Sequence, residues 1–172
     1  SRAFSDVAAT PAAPRKFVKS AIDFILAHGM DHIDLDWEYP VSGGLPGNGR
    51  RPSDATNLVL LLKEFKRQMS AYPERRMQIT MAIGCAMENL VNYRLAEMDQ
   101  YIDLYNMMCY DFTGPWSSSA DHQSNLYARD QSTNSAAKTI AYAMASGASR
   151  HKLVIGMPVY GRGFTQTDGL TR

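Results

Sequence analysis

The sequence predicts an α/β protein in which a parallel sheet is covered by helices. Three observations carry that expectation. Segments of helical period alternate with short, near-continuous apolar runs, the pattern of buried parallel strands joined by helical crossovers. The 172 residues are 45% hydrophobic and 20% charged, enough apolar material for one sizeable core. One strand candidate, "HIDLDWEY" at residues 32–39, sets acidic side chains on one face and large apolar ones on the other. Doubly wound sheets and (β/α)8 barrels share this alternation, and periodicity does not choose between them.

The elements follow in order. Residues 14–29, "PRKFVKSAIDFILAHG", read as a helix with Phe17, Ala21, Phe24, Ile25 and His28 on its inner face, stopped by Gly29. The acidic strand comes next, then a turn-rich loop, "PVSGGLPGNGRRP". Ser53 or Asp54 caps a second helix reaching about Tyr72, with Leu58, Leu61, Leu62, Phe65 and Met69 inward. "RMQITMAIGCA" is a strand centred near residue 80. A short helix over residues 95–100 leads into the strand "YIDLYNMMCYDF". A polar loop at residues 113–134 precedes a helix over 135–146, and "KLVIGMPVYG" closes the series as a fourth strand.

Composition excludes several function classes. The 18 basic and 17 acidic side chains leave a formal charge of +1, with no basic stripe for nucleic acid. No apolar run approaches the length of a membrane span. The N-terminus "SRAFSDVAAT" lacks an initiator Met and a signal-peptide core, so the chain reads as an excerpt from something longer. Cys85 and Cys109 fall in apolar runs and are expected as two free buried thiols.

The acidic strand is where chemistry is expected. Asp34, Asp36 and Glu38 share one face, their Cα atoms about 6.5–7 Å apart from one to the next, while Ile33, Leu35 and Trp37 face the helix layer. Burying charge without partners costs several kcal/mol, so a purely structural strand would not be built this way. Like charges held this close drive one another's pKa values apart, which suits acid catalysis. Glu38 lies outermost, toward the strand's C-terminal end where parallel sheets place their active sites, and is the natural proton donor. Asp31 is out of register with the file and is expected to fix the turn into the strand. A divalent-metal site is the main rival, since D-x-D spacing can bind Mg²⁺ or Ca²⁺. The glycine-rich loop nonetheless lacks a phosphate-binding ending, and His28 and His32 straddle a helix end. His122 and His151 receive no role.

These residues resemble a known family. Asp31-x-x-Asp34-x-Asp36-x-Glu38, followed by Tyr39 and Pro40, is similar to the D-x-x-D-x-D-x-E signature of family 18 glycoside hydrolases, the chitinases. "VSGGLPGNGRRPSDATN" resembles the loop after the catalytic strand in fungal-type members. "YNMMCYDFTGPW", "DHQSNLY" and "IGMPVYGRGF" resemble, in order, the sixth-strand motif, the segment after it and the seventh-strand motif. The resemblance departs at His32, where the family usually has Gly.

The resemblance implies the central portion of a (β/α)8 TIM barrel, about strands four to seven with their helices, as one partial catalytic domain over residues 1–172. Strands one to three, the last strand and most of a small α+β insertion would lie outside it. It implies retaining, substrate-assisted hydrolysis of β-1,4-linked N-acetylglucosamine, without metal or cofactor. Glu38 would protonate the glycosidic oxygen, Asp36 would hold the acetamido N–H, Asp34 would share a proton with Asp36, and Tyr110 would bind the acetamido carbonyl. Tyr39 and Met108 would line the sugar subsite. Asp111, Tyr160 and Arg162 would contact hydroxyls, and Trp116 would stack on a pyranose ring. Trp37 points the other way and belongs to the core. The partner would be chitin or a chito-oligosaccharide, met outside the cell or in the cell wall by a monomeric full-length protein. An endo-β-N-acetylglucosaminidase and a non-catalytic chitin-binding lectin share this fold; lectins typically lose the acid, and Glu38 is present.

Overall fold

The computed structural model describes residues 2–10 and 12–170. Four strands form one sheet: β1 (His32–Asp36), β2 (Gln78–Gly84), β3 (Leu104–Met108) and β4 (Leu153–Ile155). They lie in the order β1-β2-β3-β4, every neighbouring pair parallel. A doubly wound sheet reverses its order at a switch point; this one does not. Consecutive parallel order is that of a barrel segment, and it resolves the choice that periodicity left open.

Helices α1 (Ala3–Ala8), α2 (Ala13–Ala27), α3 (Asp54–Met69), α4 (Met87–Leu90), α5 (Leu95–Met98) and α6 (Ala136–Ala145) complete the described fold. Residue alternation along the strands builds one core. Leu35, Trp37, Ile79, Met81, Ile83, Tyr105 and Met107 are buried together with Leu58, Leu61, Leu62, Phe65 and Met69 of α3. Among the described residues no helix is long and apolar enough to cross a membrane.

Several boundaries and one face differ from expectation. The acidic strand stops at Asp36 rather than Tyr39, and the last strand covers three residues of the apolar run. Helix α3 stops at Met69, short of Tyr72. The inner stripe of α2 is Val18, Ile22 and Ile25, one residue around from the expected face. Phe24 is 55% exposed and lies tilted against His28, ring centroids 4.2 Å apart. The reason is that α2 carries two apolar stripes, and periodicity cannot rank them. Phe17 still reaches the core obliquely, edge-on to Phe4 and Phe65.

Helix α1 had no clear sequence signal. It is anchored by Ser5, whose hydroxyl donates to both carboxylate oxygens of buried Asp54, at 2.9 and 3.0 Å. Asp54 also accepts the Arg51 backbone N–H at 2.7 Å, and Ser53, at the N-cap position of α3, makes no side-chain capping bond. Ser135 caps α6 as its residue type favours, accepting from the Lys138 N–H.

Candidate active site

The site grows from the face of β1 opposite the core. Leu35 and Trp37 are buried, Trp37 stacked on Phe4 at 5.5 Å, while Asp34, Asp36 and Glu38 emerge on the other side. Asp34 is held from across the sheet. Its Oδ1 accepts from the Thr80 hydroxyl on β2 and from Asn106 Nδ2 on β3, the latter at 2.9 Å. Asp31 stands apart: its exposed carboxylate pairs with His32 Nδ1 at 3.0 Å, and its backbone oxygen accepts the Gln78 N–H.

Glu38 and Tyr39 sit just past the end of β1, where the loop folds back on them. Asn48 Nδ2 donates to the Glu38 carbonyl at 2.9 Å. Gly44 packs against the same carbonyl at φ +74°, a left-handed conformation that glycine adopts without penalty; a Cβ there would lie 2.4 Å from that oxygen. Tyr39 lies over Gly84 at the end of β2, where a Cβ would come 2.5 Å from Tyr39 Cε1. The bare backbone at Gly84 therefore makes the seat of the Tyr39 ring.

The end of β3 supplies the facing wall. Met108 and Tyr110 share the inner face, as alternation requires. Asp111 takes φ +56° and turns its carboxylate toward the chain after β4. There Asp111 Oδ1 accepts from Tyr160 Oη at 2.8 Å, from Arg162 Nε at 2.8 Å and from Arg162 Nη2 at 2.5 Å. The Arg162 guanidinium also covers the exposed Trp116 ring, 5.1 Å from its centroid. Gln123 ties the assembly together: its Oε1 accepts the Asp111 N–H, its Nε2 donates to the Tyr160 carbonyl, and its own carbonyl accepts the Phe112 N–H, each at 3.0 Å.

Together these walls enclose a cavity of about 780 Å³. Asp36, Glu38 and Tyr39 line one side, and Met108, Tyr110 and Asp111 the other, with Trp116 and Arg162 at the rim. Asp34 and Tyr160 do not line it. Asp34 lies below, bound to Thr80 and Asn106. Tyr160 stands behind Asp111, its ring edge-on to Tyr110 at 6.3 Å, and faces a separate groove. The Asp111, Tyr160 and Arg162 side chains, expected as contacts to sugar hydroxyls, are bonded to one another through Asp111. Sequence reasoning gave no role to Thr80, Gln123 or Asn48. Asn48, Asn106 and Gln123 lie inside motifs already quoted, which was the available signal; Thr80 had none.

The cavity is acidic, and its ionisations are coupled. Loss of hydration, then the nearby charges of Glu38 and Asp34, raise the pKa of Asp36 above the ordinary carboxylate value. Burial first and the carboxylates of Asp36, Asp111 and Glu38 next push the Tyr110 phenol up. Tyr39 shifts up for the same reasons, burial leading and Glu38 following. Both tyrosines therefore stay neutral donors through the physiological range. Cys85 and Cys109 are free and buried, Cys85 at the cavity lining, and the hydrogen bond between them, then burial, raises the Cys85 thiol.

Comparison with known proteins gives this geometry a family. Chitinase A1 from Niallia circulans is 39% identical over 176 residues, covering 95% of this chain and 25% of its own length. Chitinase ChiA74 from Bacillus thuringiensis superposes with a TM-score of 0.85 at 32% identity, over 91% of this chain and 26% of that one. The Group IV chitinase of Ostrinia furnacalis, solved with allosamidin, gives 0.78 at 26% identity over 88% and 41%. The chain thus spans well under half the length of each of these proteins. The profile described as "Glycosyl hydrolases family 18" matches residues 1–172, and the chain belongs to that family.

Proposed function

We propose that the protein containing this chain is a chitinase, cleaving β-1,4-linked N-acetylglucosamine with retention and with the substrate's own acetamido group as nucleophile. The observation that carries this reading is the convergence of Asp36, Glu38, Tyr39, Met108 and Tyr110 on one cavity at the C-terminal ends of the strands.

In the proposed reaction Glu38 donates a proton to the glycosidic oxygen and the leaving sugar departs. The acetamido carbonyl oxygen bonds to the anomeric carbon, forming an oxazolinium ion. The Tyr110 hydroxyl, kept neutral by its surroundings, hydrogen-bonds that oxygen and fixes its line of attack. Asp36 accepts the acetamido N–H and offsets the positive charge as it forms. A water then gives its proton to Glu38 and adds to the anomeric carbon as that carbon's bond to the acetamido oxygen breaks, restoring both the acid and the acetamido group. Met108 floors the subsite. Trp116 offers an exposed ring face for a second sugar, with Arg162 holding the other face. The polymer is insoluble and extracellular, so the parent protein would act outside the cell or in the cell wall, as a monomer.

Glu38→Gln in the full-length parent tests the assignment. The amide keeps shape and hydrogen bonding but carries no transferable proton. General acid–base catalysis contributes about 10²–10⁴-fold, and Glu38 acts in both steps, so hydrolysis of a chito-oligosaccharide should fall by that range or more with binding retained. A variant keeping more than a tenth of the rate excludes Glu38 as the acid.

A further inference from the structure

The chain has two cysteines, Cys85 and Cys109, and the sheet brings them together. Parallel pairing sets Gly84 of β2 level with Met108 of β3, so the next residue along each chain puts Cys85 opposite Cys109. Neighbouring strands lie about 4.7–4.9 Å apart, inside the Cα separation of about 4.4–6.8 Å that a disulfide spans. Alternation points both side chains the same way: Ile83 and Cys85, like Met107 and Cys109, belong to one buried core. The two sulfurs stand 2.9 Å apart.

The surroundings of the pair offer no rival use for it. Among the described residues no group of three His, Cys, Asp or Glu is placed to hold a metal, so the thiols are not part of a metal centre. A nucleophilic role is disfavoured too, because the shared hydrogen bond and then burial keep the Cys85 thiol protonated. The Thr139 hydroxyl of α6 donates to the Cys85 carbonyl at 2.7 Å and holds that residue in place. The cysteines are 24 positions apart, and with no third cysteine in the chain there is one way to pair them.

We propose that Cys85 and Cys109 are a disulfide site: in an oxidising compartment the two thiols join and cross-link the ends of β2 and β3. Two S–H bonds are lost and one S–S bond forms. The two electrons and two protons pass to a low-molecular-weight disulfide, which leaves as two thiols. Both sulfurs are buried in the finished fold, so the exchange takes place as β2 and β3 pair during folding. The cross-link ties together two parts of the site that come from different strands. Cys85 follows Gly84, the seat of the Tyr39 ring, and Cys109 lies between Met108 and Tyr110. Extracellular proteins keep such bonds, which suits the location proposed for the parent. The pairing itself rests on the geometry of the sheet and not on the chitinase reading.

Peptide mapping of the full-length parent tests this without turnover. One preparation is exported through an oxidising compartment; another is unfolded with reductant and refolded in a buffer of reduced and oxidised glutathione. Free thiols are blocked with N-ethylmaleimide in denaturant before digestion. Trypsin cuts at Arg76, Arg94 and Arg129 and so places the two cysteines on separate peptides. The expected product is residues 77–94 joined to residues 95–129, separable by reductant. A cross-link closing a loop of this length should also raise Tm by about 5–10 °C, so reductant should lower the Tm of the parent by that much more than the Tm of Cys85→Ala. Both peptides carrying N-ethylmaleimide, or each carrying glutathione, in whichever preparation folds, would overturn the proposal. A cross-linked pair in a parent that does not cleave chito-oligosaccharides would refute the chitinase reading and keep this one.

Discussion

Replacing Gly84 by alanine would put a methyl carbon 2.5 Å from Tyr39 Cε1 and 3.1 Å from Cζ. Carbon atoms rest at about 3.5–4.0 Å, so the ring must retreat by about 1 Å. It has little room, because its opposite edge faces Gly43, where a Cβ would already lie 3.1 Å from Tyr39 Cδ2. Tyr39 is bonded directly to Glu38, so the displacement passes to that residue, the acid of the proposed reaction, whose carbonyl is pinned by Asn48. Overpacking of this kind costs about 1–3 kcal/mol of stability, and a misplacement near 1 Å costs about 10²-fold in rate. Gly84→Ala in the full-length parent should therefore lose about two orders of magnitude in kcat on a chito-oligosaccharide, with a smaller change in KM and a modest drop in Tm. A folded variant with kcat within twofold of the parent's would refute the claim that bare backbone at Gly84 sets the position of the acid.

Asp36→Asn should slow turnover yet stabilise the fold at neutral pH. Its raised pKa means the folded state binds the proton more tightly than the unfolded chain, so ionisation above the ordinary carboxylate range costs stability. The gain should vanish in acid, where both forms are uncharged, and it should be small because Asp36 is open to solvent; Tm against pH for both proteins checks the sign. Tyr110→Phe should lower kcat more than it weakens binding, since in the proposed reaction its hydroxyl matters most as the acetamido oxygen becomes a nucleophile. Asp111→Asn keeps a residue type that tolerates φ +56° but removes the charge that anchors Arg162. It should raise KM while costing about 1 kcal/mol or less of stability. Residues 1–172 expressed alone should aggregate, because Val154 and Ile155 of β4 are 45% and 46% exposed on an edge strand paired only with β3; a monodisperse monomer with a cooperative melt would contradict this.

What the sequence made legible was whatever repeats at short range. Period-two alternation separated Asp34, Asp36 and Glu38 from Leu35 and Trp37, and the 3.6 period picked out Leu58, Leu61, Leu62, Phe65 and Met69, all of them buried. Where two apolar stripes competed, on α2, periodicity had no means of ranking them. Contacts between distant residues left no local trace. The donors to Asp34 lie 46 and 72 residues away, and Ser5 reaches Asp54 across 49. Thr80 sits in a run of apolar residues and reads as an ordinary strand threonine until the neighbouring strand is in place. The Asp111–Arg162 bond likewise needs β3 and β4 side by side before its 51-residue span closes.

In the proposed reaction a neighbouring acetamido group, not a protein carboxylate or a free water, attacks the anomeric carbon while Glu38 supplies the proton. Proton NMR of a chito-oligosaccharide within the first minutes of hydrolysis by the full-length parent reads this most directly, because two displacements at the anomeric carbon preserve its configuration. The newly formed reducing end should initially be the β-anomer, and an oligomer lacking the N-acetyl group at the cleaved sugar should not be hydrolysed. An initial α-anomer, or equal cleavage of the sugar without its acetamido group, would contradict it.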